Sequence, residues 1–177
     1  MENIVCIVQA RMGSTRLPGK TMMNIAGKPV LWHVVERLRR SKKFDLIVIA
    51  TTTGSEDNVI EEFCKSGKIL FFRGDRNDVL DRYYQAAKKY GARIIVRVTA
   101  DCPLIDAGVL DELISLFEKG KYDYVSNNKP PSYPHGLDAE VFSFDALEKA
   151  WKEAKLPSER EHVTPYLWKN SNIFKLG

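Results

Sequence analysis

Ile4-Val5-Cys6-Ile7-Val8, followed by Gln9-Ala10-Arg11-Met12-Gly13-Ser14-Thr15-Arg16-Leu17-Pro18-Gly19-Lys20, is an unbroken apolar run that opens into a basic, glycine-containing loop. The run is too short for a helix, rich in Ile and Val, and free of polar alternation, which marks a strand buried on both faces. Similar runs recur at Leu46 to Ala50, Ile69 to Phe72 and Ile94 to Val98. Between them, Val30, Leu31, Val34, Val35 and Leu38 make one stripe of helical period, and Val79, Leu80, Tyr83, Tyr84 and Ala87 make another. Pro29 suits a helix start, and Ser55 or Asp57, then Asn77 or Asp78, can cap the next two helices. The β-α-β-α alternation predicts a doubly wound α/β fold with a mostly parallel sheet. A helix through Val109, Leu110, Leu113, Ile114 and Phe117 follows, then a proline-rich loop from Lys129 to Gly136. A strand near Ala139 to Phe144 and a helix near Asp145 to Ala154 complete the pattern.

Composition narrows the class. The 177 residues suit one domain, and 44% apolar with 28% charged residues is ordinary for a folded soluble protein. The net charge of +4 is spread over interspersed signs, with no basic arm or face of the kind that binds nucleic acid. Cys6, Cys64 and Cys102 offer neither a disulfide framework nor a zinc spacing and read as reduced, buried thiols. The apolar stretch at the N-terminus is too short for a signal peptide or membrane span, so a cytoplasmic location with no membrane partner is expected.

The loop after the first strand carries the chemistry. Ligands of open α/β sheets bind at such strand ends. Arg11, Arg16 and Lys20 place three cations within ten residues, and Gly13 and Gly19 let the backbone approach a ligand closely. A polyphosphate matches this set, and a plain structural connection here would be shorter. The loop is not a P-loop: five residues separate Gly13 from Gly19, Pro18 occupies the turn, and Met22 to Gly27 does not continue as a helix.

Q-A-R-M-G-S-T-R-L-P-G-K (Gln9 to Lys20), followed by I-A-G-K-P-V-L-W-H-V (Ile25 to Val34), resembles the N-terminal signature of CMP-sugar synthetases, the acylneuraminate and KDO cytidylyltransferases. R-G-D-R-N-D-V-L-D-R-Y (Arg73 to Tyr83), R-V-T-A-D-C-P-L-I-D (Arg97 to Asp106), H-G-L-D-A-E-V-F (His135 to Phe142) and R-E-H-V-T-P-Y (Arg160 to Tyr166) resemble the spore coat polysaccharide biosynthesis cytidylyltransferases more closely. The resemblance covers nearly the whole chain. It implies a three-layer α/β/α Rossmann-like fold of the nucleotide-diphospho-sugar transferase (GT-A-like) type. It also implies that Arg11, Ser14, Arg16 and Lys20 hold the triphosphate of CTP, with the Ala10 backbone near the base. Gly13 and Thr99 complete the nucleotide-binding candidates. The family further implies a C-terminal strand and helix carrying a T-V-D-x-x-E-D-like segment. The sequence to Gly177 lacks it, so one nucleotidyltransferase domain over residues 1–177 without that strand and helix is expected.

Asp101, at the end of the fourth strand run, offers a hard oxygen ligand that can hold Mg²⁺ with phosphates and water completing the shell. Asp138 and Glu140 alternate along a strand and share a face, as metal ligands, acceptor contacts or merely exposed residues. Asp78 and Arg82, at i and i+4, read as a surface ion pair, with a substrate role held open by their motif. His135 is kept as an acceptor contact, although it and His162 read foremost as solvated or structural; His33 reads as a packed or edge residue. A strip on the last helix including Trp168 is a candidate surface for a homodimer. The expected reaction is attack of a sugar hydroxyl on the α-phosphorus of CTP, expelling pyrophosphate, with Arg16, Lys20 and Asp101-bound Mg²⁺ as the catalytic set. Two alternatives stand beside it: a noncatalytic nucleotide or nucleotide-sugar binding module, and a glycosyltransferase, for which Asp101-Cys102-Pro103 lacks the second acid of a D-x-D pair.

Overall fold

A computed structural model describes residues 3–14 and 16–177; Thr15 of the basic loop lies outside the described residues. Six strands form the central sheet: β1 (Ile4–Gln9), β4 (Leu46–Thr52), β5 (Leu70–Gly74), β6 (Ile94–Thr99), β7 (Tyr124–Ser126) and β8 (Glu140–Ser143). A small hairpin, β2 (Asn24–Ile25) with β3 (Lys28–Pro29), sits apart from it. The sheet order is β5-β4-β1-β6-β8-β7, parallel from β5 to β6, with β8 inserted antiparallel between β6 and β7.

Alternation along β1 assigns the two helical layers. Cys6 and Val8 face α1 (Val30–Leu38), α2 (Asn58–Ser66) and α4 (Ala107–Gly120). Val5 and Ile7 face α3 (Val79–Lys89), α5 (Phe144–Glu153) and the short α7 (Pro165–Lys169), and the short α6 (Pro157–His162) packs on α3. Both faces of the strands are therefore covered, which is why they read as continuous apolar runs. The three layers and mostly parallel sheet match the expectation.

Boundaries differ from the sequence reading by a residue or two, as hydrogen-bonded ends do. The run at Ile69 becomes Leu70–Gly74, and the later strand shortens to Glu140–Ser143. Asp78 caps α3, its carboxylate accepting from the Asp81 amide at 2.9 Å. Asp57 does not cap by its side chain: it is buried and accepts from the Thr52 amide (3.2 Å), the Thr52 hydroxyl (2.5 Å) and the Met12 amide (2.7 Å). The expected exposed strip on the last helix is absent. Leu167 is fully buried, Trp168 packs against the core, and the Lys129 ammonium covers its ring at 4.2 Å. Among the described residues, no helix is long and apolar enough to cross a membrane.

Candidate active site

The chain leaves β1 for β4 on one side and later returns to place β6 on the other, so the carboxyl ends of β1 and β6 flank the crevice where the strand order reverses. A cavity of about 290 Å³ lies there, lined by the β1 loop, Thr99 to Asp101 at the end of β6, Val79 and Arg82 of α3, and Glu161 and His162 of α6.

The loop is held by backbone contacts rather than by a regular element. The Asp57 carboxylate fastens it at Met12, while the Met12 carbonyl accepts the amides of Ser14 and Gly19, both at 2.9 Å. Gly19 adopts φ 73°, a left-handed conformation that a side chain would strain. It starts the single 3₁₀ turn Lys20–Met22, which aims Lys20 back across the crevice. The Thr21 hydroxyl then ties this turn to the Arg11 carbonyl at 3.3 Å.

Ala10, Arg11, Ser14, Arg16, Lys20, Thr99 and Asp101, all expected at the nucleotide site, are brought together in this lining. Gly13 is not: its open side faces Arg76, whose Nη2 would lie 3.2 Å from an added Cβ, so the close approach there is by an arginine. Lys20 Nζ forms an ion pair with Asp101 Oδ2 across the crevice. Burial raises the Asp101 pKa, but hydrogen bonds from Lys20 and Thr99 lower it further and leave the carboxyl below its ordinary range.

A second, larger cavity of about 730 Å³ adjoins the first and shares Arg16, Thr99 and Asp101 with it. Arg97, Asp138, Glu140 and His135 line this neighbour, where an acceptor was expected. Asp138 and Glu140 both line this cavity, but not as alternating residues of one strand. Asp138 precedes β8 and pairs with His135 Nδ1 at 3.0 Å, whereas Glu140 is 3% exposed. Glu140 accepts from the Tyr124 hydroxyl (2.6 Å) and the Thr164 hydroxyl (2.7 Å), and pairs with Arg97, its register partner on β6. So enclosed, it is a structural hub rather than an exposed carboxylate.

The Asp78–Arg82 surface pair is likewise not formed. Arg82 is 1% exposed in the cavity floor, donating Nη1 to the Asp75 carbonyl at 2.9 Å and leaving Nε without a partner. Burial lowers its pKa, and the nearby Arg11 adds to the depression. Asp78 instead pairs with Arg160, through Nε at 2.9 Å and Nη2 at 2.5 Å, which docks α6 onto α3. Sequence reasoning missed Asp57, Gln9, Glu161 and His162 as residues of the site; R-E-H-V-T-P-Y was noticed as a motif, yet given no role. His33 is half-buried at the helix edge, its Nε2 bonded to the Ile25 carbonyl at 2.8 Å.

The fold and site define a nucleotidyltransferase class: a doubly wound sheet with a cationic loop after β1 and a carboxylate after β6, at the strand-order reversal. The cytidylyltransferase family model matches residues 5–176, and the chain belongs to that family. It is 47% identical over 98% of its length to an uncharacterised protein of Methanocaldococcus jannaschii, spanning 70% of that protein. It is 33% identical over 99% of its length to the spore coat polysaccharide biosynthesis protein SpsF of Bacillus subtilis, spanning 74% of it. A 3-deoxy-manno-octulosonate cytidylyltransferase of Geobacter sulfurreducens matches over 64% of this chain and 44% of its own length, at 38% identity. A solved cytidylyltransferase from Leptospira borgpetersenii superposes with a TM-score of 0.94 at 40% identity, covering 99% of this chain and 75% of that one.

Proposed function

We propose that this cytidylyltransferase moves CMP from CTP onto a sugar hydroxyl and releases pyrophosphate. The carrying observation is that the nucleotide cavity and the larger acceptor cavity meet at Arg16, Thr99 and Asp101. The acceptor oxygen attacks the α-phosphorus and forms the new P–O bond; the bridging bond to the β-phosphate breaks with its electron pair going to pyrophosphate, and the hydroxyl proton is released to water. Arg11, Ser14, Arg16 and Lys20 hold the phosphates, and Arg16 and Lys20 balance the charge that grows on the leaving group. Asp78 acts by holding Arg160, and Arg82 by supporting the floor.

The donor set fits Mg²⁺ in the way phosphate-linked Mg²⁺ is ordinarily held. Asp101 supplies one partly exposed carboxylate at the cavity border, and the phosphates and water would complete the shell. Mg²⁺ bound there supplies charge neutralisation and orientation of the phosphates. The acceptor is read as a nonulosonic acid-like or other surface polysaccharide sugar, supported by the names of the Bacillus subtilis and Geobacter sulfurreducens relatives and by the size of the second cavity. The three buried free cysteines and the use of CTP support a cytoplasmic location, and the described residues are read as one nucleotidyltransferase domain.

Incubating the chain with Mg²⁺, each of the four nucleoside triphosphates and a panel of sugars, with pyrophosphate and nucleotide-sugar as the readouts, tests this reading. CTP-dependent formation of a CMP-sugar that disappears in Arg16→Ala and Asp101→Asn is the expected result. Tight CTP binding with no product from any acceptor would refute it.

A further inference from the structure

Glu161 and His162 are exposed at the end of α6 and line the nucleotide cavity, although the phosphate reading gives them nothing to do. The backbone that presents them is unusual. Val163, fully buried and β-branched, adopts φ 72° and ψ −58°, and the Thr164 amide donates to the His162 carbonyl at 2.9 Å. This is a γ-turn of the rarer, strained sense, in a residue type that disfavours positive φ. Such conformations persist only where the surroundings impose them. Here both flanks are clamped: the Thr164 hydroxyl is held by buried Glu140 at 2.7 Å, and Arg160 is held by Asp78, the cap of α3. The clamps leave Glu161 and His162 little freedom to move away from the cavity.

Their chemistry says which part of the ligand they meet. The cations of the β1 loop, Arg11, Arg16 and Lys20, gather the phosphates. A carboxylate beside a triphosphate would repel it, whereas a carboxylate facing N–H or O–H donors gains a charge-assisted hydrogen bond. Glu161 and His162 stand with Val79 and the buried Arg82, residues of α3 and α6, in the lining of the cavity. We propose that the strained Val163 turn holds Glu161 and His162 against the nucleoside end of the bound nucleotide, where Glu161 accepts hydrogen bonds from nucleoside donor groups and so selects the nucleotide. Cytosine offers its exocyclic amino group as such a donor, where uracil presents an acceptor oxygen, and the ribose offers hydroxyls. The inference rests on this cavity being the nucleotide site.

The experiment measures dissociation constants of CTP, UTP, 2′-deoxy-CTP and inorganic tripolyphosphate by calorimetry, for the native chain and for Glu161→Gln, His162→Ala and Val163→Gly. Glu161 and His162 are exposed, so their variants should keep the native melting temperature; the circular dichroism of Val163→Gly confirms that it stays folded. The native chain should prefer CTP to UTP or to 2′-deoxy-CTP. Loss of one charge-assisted bond should narrow one of those ratios about tenfold in Glu161→Gln, because an amide can turn to donate where the carboxylate could only accept. Val163→Gly should narrow the same ratio without removing either side chain, and tripolyphosphate should bind every variant equally. A narrowed CTP/UTP ratio assigns the base as the donor source, and a narrowed CTP/2′-deoxy-CTP ratio the ribose. Native-like ratios in Glu161→Gln, or a loss shared by tripolyphosphate, would overturn the inference while leaving the nucleotide site standing. Failure of the native chain to bind any nucleotide would overturn both.

Discussion

Replacing Glu140 by alanine should destabilise the fold far more than a strand carboxylate ordinarily would. Glu140 is 3% exposed and is the shared acceptor of three donors, Arg97, the Tyr124 hydroxyl and the Thr164 hydroxyl. Its removal leaves the Arg97 guanidinium without its counter-charge, at a residue whose Nε already lacks a partner. Breaking one side of a buried pair costs ~3–5 kcal/mol, mostly as the penalty of the charge left behind. The Arg97 side chain keeps 15% of its exposure, so water can reach part of it, which places the expectation near the lower end, about 3 kcal/mol. That is a large share of a domain's total stability of roughly 5–15 kcal/mol. Urea unfolding at neutral pH, followed by circular dichroism with the slope checked for constancy, measures it. Arg97→Met should cost a similar amount, while Glu140→Ala with Arg97→Met should cost clearly less than the two single changes added, because neither charge is then stranded. A loss under about 1 kcal/mol for Glu140→Ala, or simple additivity in the double variant, would refute the assignment of Glu140 and Arg97 as a coupled buried pair.

Asp57→Ala removes the acceptor for Met12 and Thr52 together, and should lower stability by about 1–3 kcal/mol while weakening CTP binding in calorimetry, since the loop is anchored there. Gly19→Ala forces a side chain into a left-handed conformation and should cost about 1–2 kcal/mol, read as a lowered melting temperature. Asp101 carries a lowered pKa in the fold: burial raises it, and Lys20 and Thr99 lower it more. The unfolded chain therefore binds that proton more readily, so the contribution is present above the unfolded value of about 3.9 and is lost as pH falls through the lower folded value. Urea midpoints between pH 5 and 2 (roughly the span over which such a carboxylate titrates) should fall less steeply in Asp101→Asn than in the native chain.

The sheet and its large helices were legible because their signals are periodic. β1, β4 and β6 are uninterrupted Ile and Val runs, and the stripes of α1 and α3 match the residues that are buried. β7 has three residues, α6 six and α7 five, too few for any period to show. The insertion of antiparallel β8 between β6 and β7 depends on long-range packing that no local pattern encodes. At the site, residue type singled out Arg11, Arg16, Lys20 and Asp101, which the fold brings to the lining of one cavity. Spacing misled at Arg82, where an i and i+4 opposite charge suggested a surface pair. Its neighbours carried the better signal: Val79 and Ala86 place Arg82 on the apolar face of α3, so its charge had to be buried. Glu140 had a comparable signal, since it is followed by Val141 and Phe142 in a strand with no polar alternation, and its partner on β6 is the only charge in that run.

Three acids then explain how irregular chain is kept in place around the crevice. Asp57 ties the end of β4 to the β1 loop, Asp101 ties the end of β6 to Lys20, and Glu140 ties β8 to β6, to Tyr124 and to the turn after α6. Asp57 and Asp101 follow the carboxyl ends of β4 and β6, and Glu140 opens β8, where a purely apolar core would leave the connecting backbone unsupported. Loops are ordinarily the least ordered parts of a fold, yet phosphoryl transfer depends on donors that are already in position when charge develops. Carboxylates suit this task because each can accept several N–H or O–H bonds at once and bind distant segments through one side chain. Of the three, Asp101 is the one that itself lines both cavities and is partly exposed, so it is the one whose partner can be exchanged on ligand binding. Asp57 and Glu140, enclosed by their donors, must keep theirs for the cavity walls to hold their shape.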